Sequence, residues 1–440
     1  MISSATDPIP FSLLSSRPQF SIDPDKGLMM EKVALSEIAQ KVGTPSWVIS
    51  ATTLRQRAQE FQKAFKERNL PIQFHFAVKA QDHKACLTLL RNLGYGADVV
   101  SGGELNRALA AGIKPENIVF SGVGKTDDEL RQAISLSIAQ VNVESAEELF
   151  RLNELALSSG KKIRVALRVN PNVDAGTHAK ITTGRAENKF GIQYHDIIPL
   201  YRKAQTELKG LHVIGLAVHL GSQIITEHPY LAGFEKLANI VRSLRQANLT
   251  VEELDCGGGL GIRYRNEKAP LPSMLANVIY NTLGNLDVKL RLEPGRWLAA
   301  PSGILLSQII DIKKGTKNFA IVDAGMNDLV RPAMYESWHG ILPLKAFAKD
   351  TPLTHYDVVG PICESSDVFA HNRLLPELHR GDLVAFLDAG AYGSVMSSTY
   401  NSHPLAAQIM VEDDKWAVIR ERQTLDDILR TERLPEWLES

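Results

Sequence analysis

Cysteine is scarce in this chain of 440 residues, with only Cys86, Cys256 and Cys363 present. An odd count without the spacing of metal ligands excludes a disulfide framework and a zinc knuckle, and fits a reducing compartment. Net charge is equally small. The 49 Lys and Arg residues against 50 Asp and Glu leave −1, with no block of one sign. That removes any broad electrostatic basis for binding nucleic acid or an acidic membrane, and makes a compact polar ligand the expectation. Long apolar runs are missing as well: Val213–Leu220 and Gly303–Leu306 fall far short of the roughly 20 residues that cross a bilayer. Met1 to Phe20 has no basic stretch leading into an apolar one, and Pro8, Pro10 and Pro18 interrupt any helical signal core. A soluble cytoplasmic protein is expected.

What is present is an ordinary globular composition, 44% hydrophobic and 22% charged, in a chain long enough for two or three domains at roughly 100–200 residues each. Strands are expected near Gln73–Lys79, Gly96–Val100, Asn117–Gly122, Gln140–Glu144, Ile163–Asn170, Val213–Gly221, Glu253–Gly259 and Arg291–Arg296. The first five begin at 73, 96, 117, 140 and 163, in steps of 23, 21, 23 and 23 residues, the length of one strand, one helix and two tight loops. Between them, Gly102–Gly112 reads as a helix ending in glycine, and Asp127-Asp128-Glu129 places acids where a helix start favours them. This α/β alternation fits a closed (β/α)8 barrel and also arises in an open doubly wound sheet; the chemistry below favours the barrel. After Arg296 come short alternating runs, Gly303–Ile309, Phe319–Val322, Leu383–Leu387 and Gln408–Val411, as in a mostly antiparallel sheet. The expected organisation is a barrel over residues 44–296 and a β-rich domain from 1–43 plus 297–440, with the residues up to about Gly43 adding strands to the carboxyl-terminal sheet.

In a barrel of this kind the working groups sit at the carboxyl ends of the strands. Lys79, Glu144, Arg168, His219, Gly257, Gly258, Gly259, Glu293 and Arg296 all fall there. Lys79 ends an otherwise apolar strand, where desolvation would leave its amine partly neutral and able to form a Schiff base. The glycines of Asp255-Cys256-Gly257-Gly258-Gly259 let backbone N–H groups approach a phosphate. They do not form a dinucleotide fingerprint, because Ile262 stands where the third glycine belongs, and Val119 likewise denies Gly122-Val123-Gly124-Lys125-Thr126 the leading glycine of a P-loop. Glu293-Pro294-Gly295-Arg296 offers a carboxylate for a ring nitrogen and a guanidinium for a phosphate, while His219-Leu220-Gly221-Ser222 offers an imidazole and a hydroxyl. Singly these are a solvated charge, a turn and a core histidine. Together they compose a pyridoxal phosphate site without metal ligands.

Further segments extend the pattern from about Thr44 to Val411: Ala77-Val78-Lys79-Ala80, Gly96–Glu104, Thr183-Gly184 with Lys189-Phe190-Gly191, Met326–Pro332 with Tyr335, Cys363-Glu364-Ser365, Asp388–Gly393 and Tyr400-Asn401. In these segments the sequence resembles the alanine-racemase-fold group of pyridoxal phosphate enzymes and, within it, the diaminopimelate decarboxylases. The resemblance implies that Lys79 carries the cofactor on its amine, His219 stacks on the ring and Glu293 pairs with the pyridine nitrogen. It also implies that Ser222, Gly257, Gly258, Gly259, Arg296 and Tyr392 surround the phosphate, with Arg296 and Tyr392 also near substrate. Cys363 would donate a proton, reaching in from the partner subunit of a homodimer. The implied reaction turns meso-diaminopimelate into L-lysine and carbon dioxide, the last step of lysine biosynthesis.

Substrate choice follows from charge. Ornithine needs one anion for its distal ammonium, whereas diaminopimelate carries a carboxylate and an ammonium at its far end and needs both signs. Arg331 and Tyr335 would clamp that carboxylate and Glu364 the ammonium. Departures from the family pattern are Gln81, Ser366 in place of a glycine, and His403-Pro404-Leu405. A serine at 366 would resist backbone conformations open to glycine and displace the Cys363-Glu364 loop. The alternatives are a related decarboxylase acting on ornithine, arginine, a carboxylated polyamine or a secondary-metabolite precursor, and a non-catalytic binding protein on the same fold. A racemase would need a second base opposite Lys79, and the sequence offers none.

Overall fold

In the computed structural model, residues 7–174 and 187–438 are described, so Thr183-Gly184 lies outside the described residues. The chain divides into two units, Arg55–Arg263 with Glu267–Ala299, and Met1–Leu54 with Tyr264–Asn266 and Ala300–Ser440. Among the described residues no helix is long and apolar enough to cross a membrane.

The first unit is built on β1 (Ile72–Ala77), β2 (Gly96–Val99), β3 (Ile118–Phe120), β4 (Gln140–Val143), β5 (Ile163–Asn170), β6 (Leu211–Val218), β7 (Glu253–Asp255) and β8 (Lys289–Leu292). Each strand pairs in parallel with the next. β8 returns to β1, with Leu292 opposite Phe74, so the sheet closes and the open doubly wound alternative is excluded. Strands buried on both faces are apolar almost throughout, as in Val165–Leu167 of β5. Short loops lead into capped helices. Ser101 accepts the N–H of Glu104 at the start of Gly102–Ala110, and Thr126 and Glu129 form a reciprocal box at the start of Asp127–Leu136. All the strands but Ile163–Asn170 stop earlier than the sequence suggests, so Glu144, His219 and Glu293 each come one residue past a strand.

The barrel interior carries a charged layer near the amino ends of its strands. Arg291 gives Nε and Nη2 to Glu253 Oε2 at 2.8 and 2.6 Å, and Arg164 Nη2 reaches Glu253 Oε1 at 2.7 Å. Burial, then Arg291, pushes the His75 pKa down to about 3. The ring is therefore neutral, with Nε2 accepting from Arg291 Nη1 at 2.8 Å and Nδ1–H donating to the Asn117 carbonyl at 3.1 Å. A groove of about 970 Å³ at this end is lined by Phe65, Phe74 and His75 and holds none of the strand-end groups singled out above.

The second unit is a mostly antiparallel sheet centred on Gly303–Lys313, which pairs with Ser46–Ser50, Phe319–Val322 and Leu383–Phe386. Alternating residues feed two cores: Trp47 and Leu305 enter one, while Val48, Ile304 and Leu306 enter the other. Two expectations are corrected here. Residues 46–50 lie in this sheet and not in the barrel, because Trp47 and Val48 bury into opposite cores and Ser46–Ser50 is fully buried between two neighbours. The residues before Gly43 do not join the large sheet. Phe20–Asp23, Gly27–Met30 and Val33–Ala34 form a three-stranded sheet of their own, which packs Leu28 and Met30 into the second core.

Candidate active site

Lys79 stands in the 3₁₀ turn Val78–Ala80, just past β1. In place of the desolvated amine suggested by its apolar strand, Nζ is ion-paired with Asp98 Oδ2 on β2. The Lys79 side chain is 31% exposed, while that of Asp98 is fully buried and its Oδ1 has no hydrogen-bond partner. Glu104 follows on the next helix, where it accepts the Val100 N–H at 2.8 Å. Burial pushes its pKa up to about 7 against the pull of that bond.

Glu293 is held from inside the barrel. Its Oε1 accepts from Ser121 Oγ at 3.2 Å and Asn142 Nδ2 at 3.4 Å. Asn142 also donates to Asp255 Oδ2 at 3.1 Å, which Gln140 Nε2 reaches at 3.2 Å. Burial first, and then the neighbouring Asp255, hold Glu293 well above the usual carboxylate range; burial likewise raises Asp255. This buried polar layer was not anticipated from the sequence, although the alternation Gln140-Val141-Asn142-Val143 points two polar side chains to one face of a buried strand. His219 lies beside it, with Nδ1 3.9 Å from Glu293 Oε2. Burial, then Arg168 and Lys79, keep the imidazole neutral. Since Nδ1 accepts the Gly258 N–H at 3.2 Å, the ring proton is on Nε2.

The glycine run is only partly a phosphate cradle. A Cβ on Gly257 would lie 2.3 Å from the Val218 carbonyl oxygen, and one on Gly258 would lie 2.1 Å from that of Glu293. These glycines are required first by the close approach of neighbouring strand ends. Two of the N–H groups are taken within the chain: Gly257 donates to Asp255 Oδ1 at 3.0 Å and Gly258 to His219 Nδ1. Gly259 lies against Gly221, whose carbonyl a Gly259 Cβ would meet at 2.4 Å. Next to Gly221, Ser222 Oγ accepts from buried Arg296, at 2.8 Å from Nη2 and 3.3 Å from Nε. A hydroxyl and a guanidinium thus meet close to Gly259 at one rim.

Glu144 and Arg168 serve as scaffold. Arg168 Nη1 meets Glu144 Oε1 at 2.6 Å, and the same carboxylate accepts the N–H groups of Gly122 at 3.1 Å and Gly191 at 2.9 Å.

The remaining predicted residues belong to the second unit, where three segments are stapled together. Buried Asp367 accepts the N–H of Met326 at Oδ1 and of Ile362 at Oδ2, both at 2.7 Å. The Asn327 carbonyl accepts the Ser398 N–H at 2.8 Å, and the Asp328 carbonyl accepts Ser397 Oγ at 2.9 Å. Arg331, buried at the start of the helix Arg331–Tyr335, bonds Ser337 Oγ at 3.1 Å and lies 5.8 Å from the Tyr335 ring centre. Cys363 and Glu364 are exposed on the second segment. Ser366 is not among the residues of positive φ, so serine meets no backbone strain there, and Asp367 holds the loop through the Ile362 N–H. Tyr392 has φ +55 on the loop that begins at Asp388, the buried ion-pair partner of Arg17.

Comparison with known proteins places this geometry. Residues 51–300 match the family model described as pyridoxal-dependent decarboxylase, pyridoxal binding domain. The chain is 44% identical to the diaminopimelate decarboxylase of Zymomonas mobilis, over 98% of this chain and 100% of that one. It is also 44% identical to the Aquifex aeolicus diaminopimelate decarboxylase, over 92% of this chain and 95% of that one. The crystal structure of diaminopimelate decarboxylase from Helicobacter pylori complexed with L-lysine superposes with a TM-score of 0.86 at 41% identity, covering 90% of this chain and 98% of that one. The chain belongs to the diaminopimelate decarboxylase family of pyridoxal-dependent decarboxylases.

Proposed function

We propose that this protein decarboxylates meso-diaminopimelate to L-lysine and carbon dioxide with pyridoxal phosphate. When bound, the cofactor supplies the sink for the electron pair left behind by carbon dioxide. The chain's own residues supply the rest. The Lys79 amine, held by Asp98, is the attachment point. Glu293, fixed by Ser121 and Asn142, would pair with the pyridine nitrogen and hold a proton there. The neutral His219 ring offers a flat face for stacking. Arg296, Ser222 and Gly259, with Gly257 and Gly258 shaping the loop, would hold the phosphate, and Arg296 would also border the substrate; the resemblance assigns Tyr392 to both tasks. Cys363 Sγ returns a proton to the carbon that loses carbon dioxide.

The observation that carries the substrate choice is the Asp367 staple. It fixes both the segment leading to Arg331 and the segment bearing Glu364, which supports a cation for a distal carboxylate and an anion for a distal ammonium. Tyr335 adds its hydroxyl on the carboxylate side. Exposure of Cys363 and Glu364 supports a homodimer in which each subunit completes its partner's site. The three free cysteines support a cytoplasmic location.

The test is carbon dioxide release by protein reconstituted with pyridoxal phosphate, comparing meso-diaminopimelate with L-ornithine, L-arginine and L-lysine while the cofactor absorbance is recorded. Release from diaminopimelate alone is expected. Cofactor absorbance without that release would move the substrate elsewhere.

A further inference from the structure

Two consecutive residues reach both members of the Cys363-Glu364 pair. Asn401 Oδ1 accepts the backbone N–H of Cys363 at 3.0 Å, and the Tyr400 hydroxyl donates to Glu364 Oε1 at 2.5 Å. Both belong to the short 3₁₀ segment Tyr400–Ser402, which is anchored on the loop before Arg331 through Ser397 and Ser398. Asn401 and Ser402 have φ of +53 and +58, a left-handed backbone that asparagine tolerates and serine resists. Exposed side chains on a loop lose their direction unless something holds them. Here one turn holds a thiol through its backbone and a carboxylate through one oxygen, leaving the other oxygen for a cation.

We propose that Tyr400 and Asn401 are positioning residues that keep the Cys363 thiol and the Glu364 carboxylate in register, so that one turn sets both proton delivery and the recognition of a distal ammonium. The substrate half of this inference rests on the function proposed above.

Cys86 and Cys256 are buried and Cys363 is exposed, so alkylation of the holoenzyme by iodoacetamide reads this thiol directly. Asn401→Gly keeps the left-handed backbone and removes the acceptor, whereas Asn401→Asp keeps both. Alkylation about fivefold faster is expected in Asn401→Gly, through freer opening of the loop, with Asn401→Asp close to the parent. An unchanged or slower rate in Asn401→Gly, or an equal change in Asn401→Asp, would overturn the role of Asn401 and leave it a residue chosen for its φ alone. For Tyr400→Phe, KM for meso-diaminopimelate should rise about tenfold, with kcat and cofactor absorbance retained. An unchanged KM, or a fall in kcat alone, would overturn the role of Tyr400. A parent protein inactive on diaminopimelate defeats the proposed function, and alkylation rates still decide the Asn401 half; an active parent with unaffected variants defeats this inference alone.

Discussion

The two units hold their candidate functional residues by opposite means. In the barrel, Asp98, Glu293, Asp255 and Arg296 are buried, and burial raises Glu293 and Asp255 above the usual carboxylate range. In the second unit, Cys363, Glu364 and Tyr400 are exposed; Asp367 and Asn401 grip the backbone at Ile362 and Cys363, and the Tyr400 hydroxyl holds Glu364. Burial suits groups whose charge must be tuned, because desolvation moves a pKa. Backbone staples suit groups whose position must be exact to a fraction of an ångström. The comparison teaches a division of means, with buried side-chain networks in the barrel and backbone staples under exposed side chains in the sheet unit.

The largest expected effect lies on the barrel side. Lys79→Ala should abolish cofactor absorbance and all turnover; decarboxylation at the parent rate would remove Lys79 from the mechanism. Arg331→Ala should lower kcat/KM for meso-diaminopimelate about 100-fold while cofactor absorbance persists. Equal loss of absorbance would erase the division between the units.

Glu104→Gln sharpens the electrostatic half. The folded-state pKa of about 7 lies above the ordinary glutamate value of 4.5, so the folded protein holds this proton more tightly than the unfolded chain does. Stability is therefore lost as pH rises from about 4.5 to about 7, by about 3 kcal/mol at most. The variant should flatten that part of a denaturant-midpoint profile, and a profile parallel to the parent's would show the carboxyl to be ordinary. Thr126→Ala, which removes only a helix cap, should cost about 1 kcal/mol of barrel stability and leave the substrate profile untouched.

Much of the barrel was legible because a repeat of 23, 21, 23 and 23 residues leaves few other ways to bury every strand. Ile163–Asn170 has the expected bounds, and β2, β4 and β7 begin where expected. The pairing of Lys79 with Asp98 was within reach too, since the two lie 19 residues apart on adjacent strands. Ser46–Ser50 was harder: an apolar strand carries no mark of the sheet it enters. The donors Ser121, Asn142 and Gln140 were missed because a polar residue in a strand does not announce which face it takes. The capture of the Gly257 and Gly258 N–H groups by Asp255 and His219 depends on three strand ends meeting, which no local pattern contains.

Asp367 has a consequence for how such a scaffold changes over generations. One carboxylate grips the loop before Arg331 with one oxygen and the loop before Cys363 with the other. An insertion or deletion in either loop would pull on both, so their lengths cannot drift one at a time. New substrates are reached more readily by exchanging side chains on the two loops than by remodelling either backbone.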